Sequence, residues 1–82
     1  MDEDTDIHIE EIAVADSSKL VGVSLQESGI RPDYNLMIIS IVKIDGKMLF
    51  NPAADTTIKA GEKVIAVGSI DDLGRLEKAL NP

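Results

Sequence analysis

Four residues define the chemistry this chain can offer. Arg31 and Asn35 come just before an apolar run, Leu36 to Val42, and Asn51 and Pro52 come just after its return, Met48 to Phe50. The run is rich in β-branched residues and broken only by Ser40. It is expected as a strand buried on both faces, within a strand spanning Leu36 to Ile44. Asp45-Gly46 is expected to reverse it through a two-residue type I′ turn, which needs positive φ at both central positions. Proline lacks the amide hydrogen a ladder uses, so pairing should stop at Asn51-Pro52. The open ends of a hairpin lie side by side, which puts residues 35–38 next to residues 50–52. A guanidinium, two carboxamides and an apolar floor then share one edge. That set suits a small anionic ligand, and equally the polar rim of a contact between two copies.

Other reactive residues offer less. His8 is the single histidine; Ile7 and Ile9 on either side are expected to face inward, leaving His8 outward and without a co-ligand. Asp2, Asp4 and Asp6 alternate like the opening of a calcium loop, but that pattern needs glycine at its sixth position and glutamate at its twelfth. Ile7 and Ala13 stand there, so a solvated acidic tail accounts for the carboxylates. There is no Gly-x-Ser-x-Gly, no phosphate-binding glycine loop and no His-Asp-Ser set with evident partners. No catalytic residue and no metal site is assigned, and the chain reads as a non-enzyme.

Length and charge narrow the class further. Eighty-two residues make one domain that buries roughly 60–65% of its unfolded surface. With Tyr34 and Phe50 as its only aromatics, the core must be aliphatic, and pairing with a second copy or a neighbouring domain is expected. The absence of cysteine removes disulfides, zinc-thiolate sites and thiol nucleophiles together. No apolar segment reaches the ~18 residues that span a bilayer, so no direct membrane insertion is expected. The net charge of −7 is lopsided: residues 1–16 hold seven acids and no Lys or Arg, and the remainder balances eight acids with eight bases. With no basic stripe and no aromatics to stack bases, no nucleic acid is expected as a partner.

Residues 1–6 are expected as an acidic flexible tail and 7–82 as the domain. Ile7, Ile9, Ile12 and Val14 predict a strand from Ile7 to Ala15, with a bulge where the alternation slips at Glu10-Glu11. Ser24 and Glu27 fit a capping box opening a short helix from Leu25 to Ser28, with Gly29 as its left-handed C-terminal residue and Pro32 preventing continuation. After the hairpin, Ile58 is the single apolar anchor of a loop that Lys59-Ala60-Gly61 reverses. Lys63 to Val67 predicts another strand, and Ser69 caps a final helix whose stripe is Ile70, Leu73, Leu76 and Leu80. Gly74 interrupts that helix. The expected fold is α+β, a small β-α-β-β-β-α domain with a mixed sheet and two helices.

Taken in order, Leu20-Val21-Gly22 with Leu25, the strand ending at Asp45-Gly46, Pro52 with Asp55-Thr56 and Ile58, Ala60-Gly61-Glu62, Val64 to Gly68, and the Leu73/Leu76 helix resemble the TrkA C-terminal domain. That domain is also called the RCK C-terminal lobe, and the resemblance covers about residues 7–80. Lys43 stands where many members carry arginine, and Glu62 where they usually carry aspartate. The resemblance implies a TrkA-C-like regulatory module rather than a catalyst, on the cytoplasmic side of a potassium or other ion channel or transporter. It implies a homodimer, adjoining an RCK N-terminal lobe or a membrane subunit. No such lobe lies within these residues, so the chain is expected to be one unit of something longer. In one branch of the family a regulator, cyclic di-AMP, is held in the dimer cleft at positions that fall here on Arg31, Asn35, Leu36, Ile38 and Pro52. No other cofactor is implied. The competing expectation is a structural dimerisation module without a small-molecule ligand.

Overall fold

The computed structural model describes residues 6–82. The expected tail and calcium-like carboxylates therefore lie outside the described residues, except for Asp6, which is exposed. In chain order the elements are β1 (His8–Ala13), α1 (Leu25–Ser28), α2 (Ile30–Tyr34), β2 (Met37–Val42), β3 (Met48–Phe50), β4 (Lys63–Gly68) and α3 (Ile70–Leu80). The α+β class stands, but the sheet is antiparallel throughout rather than mixed. Its order is β1-β4-β2-β3. β1 and β2 point the same way but are not neighbours, because β4 lies between them and pairs antiparallel with both.

One sheet face carries the core. Ile12 on β1, Val64 and Ala66 on β4, and Ile38 and Ile41 on β2 are buried against Leu73, Leu76 and Leu80 of α3, with Leu25 and Ile30 from the short helices. Each such leucine or isoleucine contributes about 1.5–3 kcal/mol by leaving water. Ser69 caps α3 by accepting the Asp72 N–H at 3.1 Å. Ile70, expected on the buried stripe, is exposed instead at the first position of α3. Ile58 is fully buried, as its position in the loop predicts.

Several local expectations are corrected. β1 pairs with β4 without a bulge, residue for residue from His8↔Gly68 to Ala13↔Lys63. The apparent slip at Glu10-Glu11 marks a change of face: Ile12 and Val14 serve the core, whereas Ile7 and Ile9, 62% and 66% exposed, lie on the opposite side. His8 accordingly shares the face of Ile12 and is half-buried, not outward. The bulge occurs in β2, where Ile39 has no partner on β4 between Ile38 and Ser40. β2 is covered on one face only; Met37 is 66% exposed.

Two turns also differ. The hairpin uses a three-residue loop, Ile44-Asp45-Gly46, in which the Lys43 N–H donates to the Lys47 carbonyl at 2.7 Å and the Gly46 N–H to the Lys43 carbonyl at 2.9 Å. Only Gly46 has positive φ, at 89°, the pattern of a three-residue hairpin. Asp45 instead accepts the Lys47 N–H at 2.9 Å. A third helix, α2, follows Gly29 and contains Pro32. Proline is tolerated there because it falls in the first turn, where no N–H has an intrahelical acceptor.

Candidate functional site

The placement of Arg31 begins with α1. The Ser24 hydroxyl accepts the Glu27 N–H at 3.2 Å, and Gly29, at φ 73°, ends that turn and opens α2 in the same step. α2 is one and a half turns long and ends at Asn35, itself left-handed at φ 55°. This short bracket carries Arg31 to the open end of the hairpin. Its guanidinium donates to the Pro52 carbonyl at 3.1 Å, while the ladder sets Phe50 opposite Ser40 and the Asn51 N–H on the Ile39 carbonyl, further along β2 than the expected 35–38. Among the described residues Arg31 makes no ion pair. A guanidinium has five N–H donors in a planar fork, so most of its anion-binding capacity is left.

A shallow cleft of about 410 Å³ lies beside it, lined by Ile7, Arg31, Asn35, Leu36, Met37, Val67 and Gly68. Three of the sequence-derived candidates, Arg31, Asn35 and Leu36, therefore meet in one place. Pro52 is buried and holds Arg31 from behind through its carbonyl. Ile38 is not brought to the cleft: its side chain is 2% exposed and sits in the core, and its neighbour Met37 takes that place. Asn51, the other amide considered, turns at φ 50° and donates its N–H to the Ile39 carbonyl at 2.7 Å, and it does not line the cleft. Ile7, Val67 and Gly68 were missed by residue reasoning. They arrive because β4 lies between β1 and β2, which no local pattern reveals. At Gly68 an added Cβ would meet Leu36 Cδ2, so the Leu36 side chain would have to shift.

Among the described residues the cleft lining contains one cation and no carboxylate, histidine or hydroxyl. It can hold an anion over an apolar floor and offers no acid–base pair. That floor continues outward. Ile9, Val67 and Met37 are paired across three strands and so share the uncovered sheet face, to which Phe50 adds a ring 72% exposed. Among the described residues no group of three His, Cys, Asp or Glu can hold a metal ion, and no helix is long and apolar enough to cross a membrane.

At the other end of the hairpin Lys43 and Glu62 meet. Lys43 Nζ lies 3.1 Å from Glu62 Oε2, and Glu62 Oε1 accepts the Lys59 N–H at 3.0 Å. Glu62 is 2% exposed.

A family model for the TrkA-C domain matches residues 9–81. The chain belongs to the TrkA-C domain family. Among curated relatives, this TrkA-C domain is 31% identical over 72 residues to the K(+)/H(+) antiporter subunit KhtT of Bacillus subtilis, covering 88% of the chain and 44% of that subunit. It is 31% identical over 77 residues to the uncharacterized transporter YfbS of Escherichia coli, covering 94% of the chain and 12% of the transporter. The domain thus spans less than half of either relative. Among solved structures it superposes on the RCK_C domain dimer of S. agalactiae BusR in complex with c-di-AMP. There the TM-score is 0.82 and the identity 26%, over 89% of this chain and 95% of that one. The RCK C domain of the potassium transport protein KtrA, also in complex with c-di-AMP, gives a TM-score of 0.78 at 29% identity, over 89% and 82% of the two chains.

Proposed function

We propose that this TrkA-C domain is the dimerising, ligand-binding regulatory unit of a potassium or other ion transport system, and that its ligand is cyclic di-AMP. The observation that supports it most is the placement of Arg31. It is pinned by the Pro52 carbonyl at the rim of an apolar cleft that opens onto an uncovered apolar sheet face. The similar RCK_C domains of BusR and KtrA are described in complex with the same nucleotide. A second copy laid on the row Ile9, Val67 and Met37 would close the cleft and bring a second Arg31 toward a ligand with two phosphates. Contiguous exposed apolar surface of this kind marks an interaction site. Asn35 and Leu36 then supply an amide and an apolar wall, with Met37 in the role expected of Ile38.

In this reading the domain does no chemistry. Nucleotide binding favours one arrangement of the two copies, and the linked RCK N-terminal lobe or membrane subunit responds in proportion to the differential affinity. The domain works on the cytoplasmic side of that transport system. Calorimetric titration with cyclic di-AMP, with light scattering on the same sample, tests this. Binding at one nucleotide per two chains, at least tenfold weaker in Arg31→Ala, is expected. A stable dimer that takes up no nucleotide would replace the sensor reading with a structural dimerisation module.

A further inference from the structure

A second cleft lies between the loop after β1, the end of α2 and the end of α3. It has a volume of about 390 Å³ and is lined by Ser17, Lys19, Leu20, Tyr34, Lys78, Ala79 and Pro82. That volume is within the range of small-molecule sites, about 300–1,000 Å³. Leu20, Tyr34 and Ala79 make it mostly apolar. In a chain of net charge −7 its lining includes Lys19 and Lys78 and, among the described residues, no aspartate or glutamate. Neither Lys19 nor Lys78 makes an ion pair among the described residues.

The walls are fixed rather than draped. Ser18 is buried; its hydroxyl donates to the Ala79 carbonyl at 2.7 Å and accepts the Leu20 N–H at 3.1 Å. This ties the loop bearing Lys19 and Leu20 to the last turn of α3, which bears Lys78. The Tyr34 ring is held by Arg75, whose guanidinium carbon lies 5.1 Å from the ring centroid. Arg75 is itself anchored to Asp72 Oδ1 at 3.1 Å and to the Asp33 carbonyl at 3.2 Å. Such pre-ordering lowers the entropy lost when a ligand binds.

We infer that this cleft is a second binding site, for a small amphipathic anion: an aromatic or aliphatic body seated on Leu20, Tyr34 and Ala79, with a carboxylate or sulfonate between Lys19 and Lys78. It is separate from the Arg31 cleft and does not depend on the nucleotide reading. The two clefts share α2, which presents Tyr34 to one and Arg31 to the other.

The test is a two-dimensional ¹H–¹⁵N NMR titration with 2-naphthoate, repeated with 2-naphthylmethylammonium, a cation of similar size and body. Saturable shifts at the amides of Lys19, Leu20, Tyr34 and Ala79 are expected for the carboxylate. The cation should bind at least tenfold more weakly, and Lys19→Glu/Lys78→Glu should weaken the carboxylate at least tenfold. Both lysines are exposed, so the variant should keep a native spectrum. If it does not, the anion–cation comparison on the unaltered domain decides alone. Equal affinity for the two probes, an unchanged affinity in a folded charge-reversal variant, or shifts confined to the sheet face around Met37 and Phe50 would overturn the inference.

Discussion

Replacing Lys43 with methionine leaves the Glu62 carboxylate buried without its counter-ion, and the cost follows from the geometry. Exposed ion pairs contribute about 0.2–1 kcal/mol, whereas breaking a fully buried one costs about 3–5 kcal/mol. The two side chains here are 32% and 3% exposed, so the pair is intermediate. One strong hydrogen bond, from the Lys59 N–H, remains to the carboxylate. Lys43→Met should therefore destabilise by about 2 kcal/mol. Glu62→Gln keeps an oxygen for the Lys59 N–H and removes the buried charge, and should cost about 1 kcal/mol. Once the charge is gone, losing Lys43 matters less, so the double variant should fall short of the sum by about 1 kcal/mol. Urea unfolding at one protein concentration measures all three. A loss below about 0.5 kcal/mol for Lys43→Met, or strict additivity in the double variant, would refute the reasoning, because solvent would then be screening the pair as it does on an open surface.

Three further outcomes are expected. Gly74 lies inside α3 with nothing within 4 Å of where a Cβ would stand. Gly74→Ala should therefore stabilise by about 1 kcal/mol, raising Tm by roughly 4–8 °C in a scanning calorimeter. The Ser40 hydroxyl is buried without a hydrogen-bond partner; Ser40→Ala should hold or raise stability by up to about 1 kcal/mol in urea unfolding. Gly68→Ala drives a methyl into Leu36. It should destabilise by about 1–3 kcal/mol and, on the proposed nucleotide reading, calorimetry should show weaker cyclic di-AMP binding because Leu36 lines the cleft.

Much of the local structure was legible because it is written in short-range rules. Ser24 and Ser69 accept the third N–H beyond them, as capping residues do. Gly29 takes the left-handed position, and Leu73, Leu76 and Leu80 turn inward at helical spacing. The hairpin was legible in its position but not in its turn type. Asp-Gly fits both a two-residue and a three-residue loop, and the choice falls to the strand register, Val42↔Met48. α2 was hidden by reading Pro32 as a barrier, although a first-turn proline breaks no hydrogen bond.

For the candidate site, sequence by itself determined that one guanidinium and one amide flank an apolar strand, and that the proline after the hairpin returns beside them. Those are consequences of chain connectivity and antiparallel pairing. Only the tertiary structure decided what completes the cleft. β4 inserts between β1 and β2, so Ile7, just ahead of β1, meets Val67 and Met37 in one cleft. The same insertion assigns faces: Ile38 goes to the core, Met37 to the cleft, and Ile9 to the open sheet. Alternation along a strand has two phases, and choosing between them depends on which side the helices cover. α3 makes that choice from the far end of the chain, through packing that no local window contains.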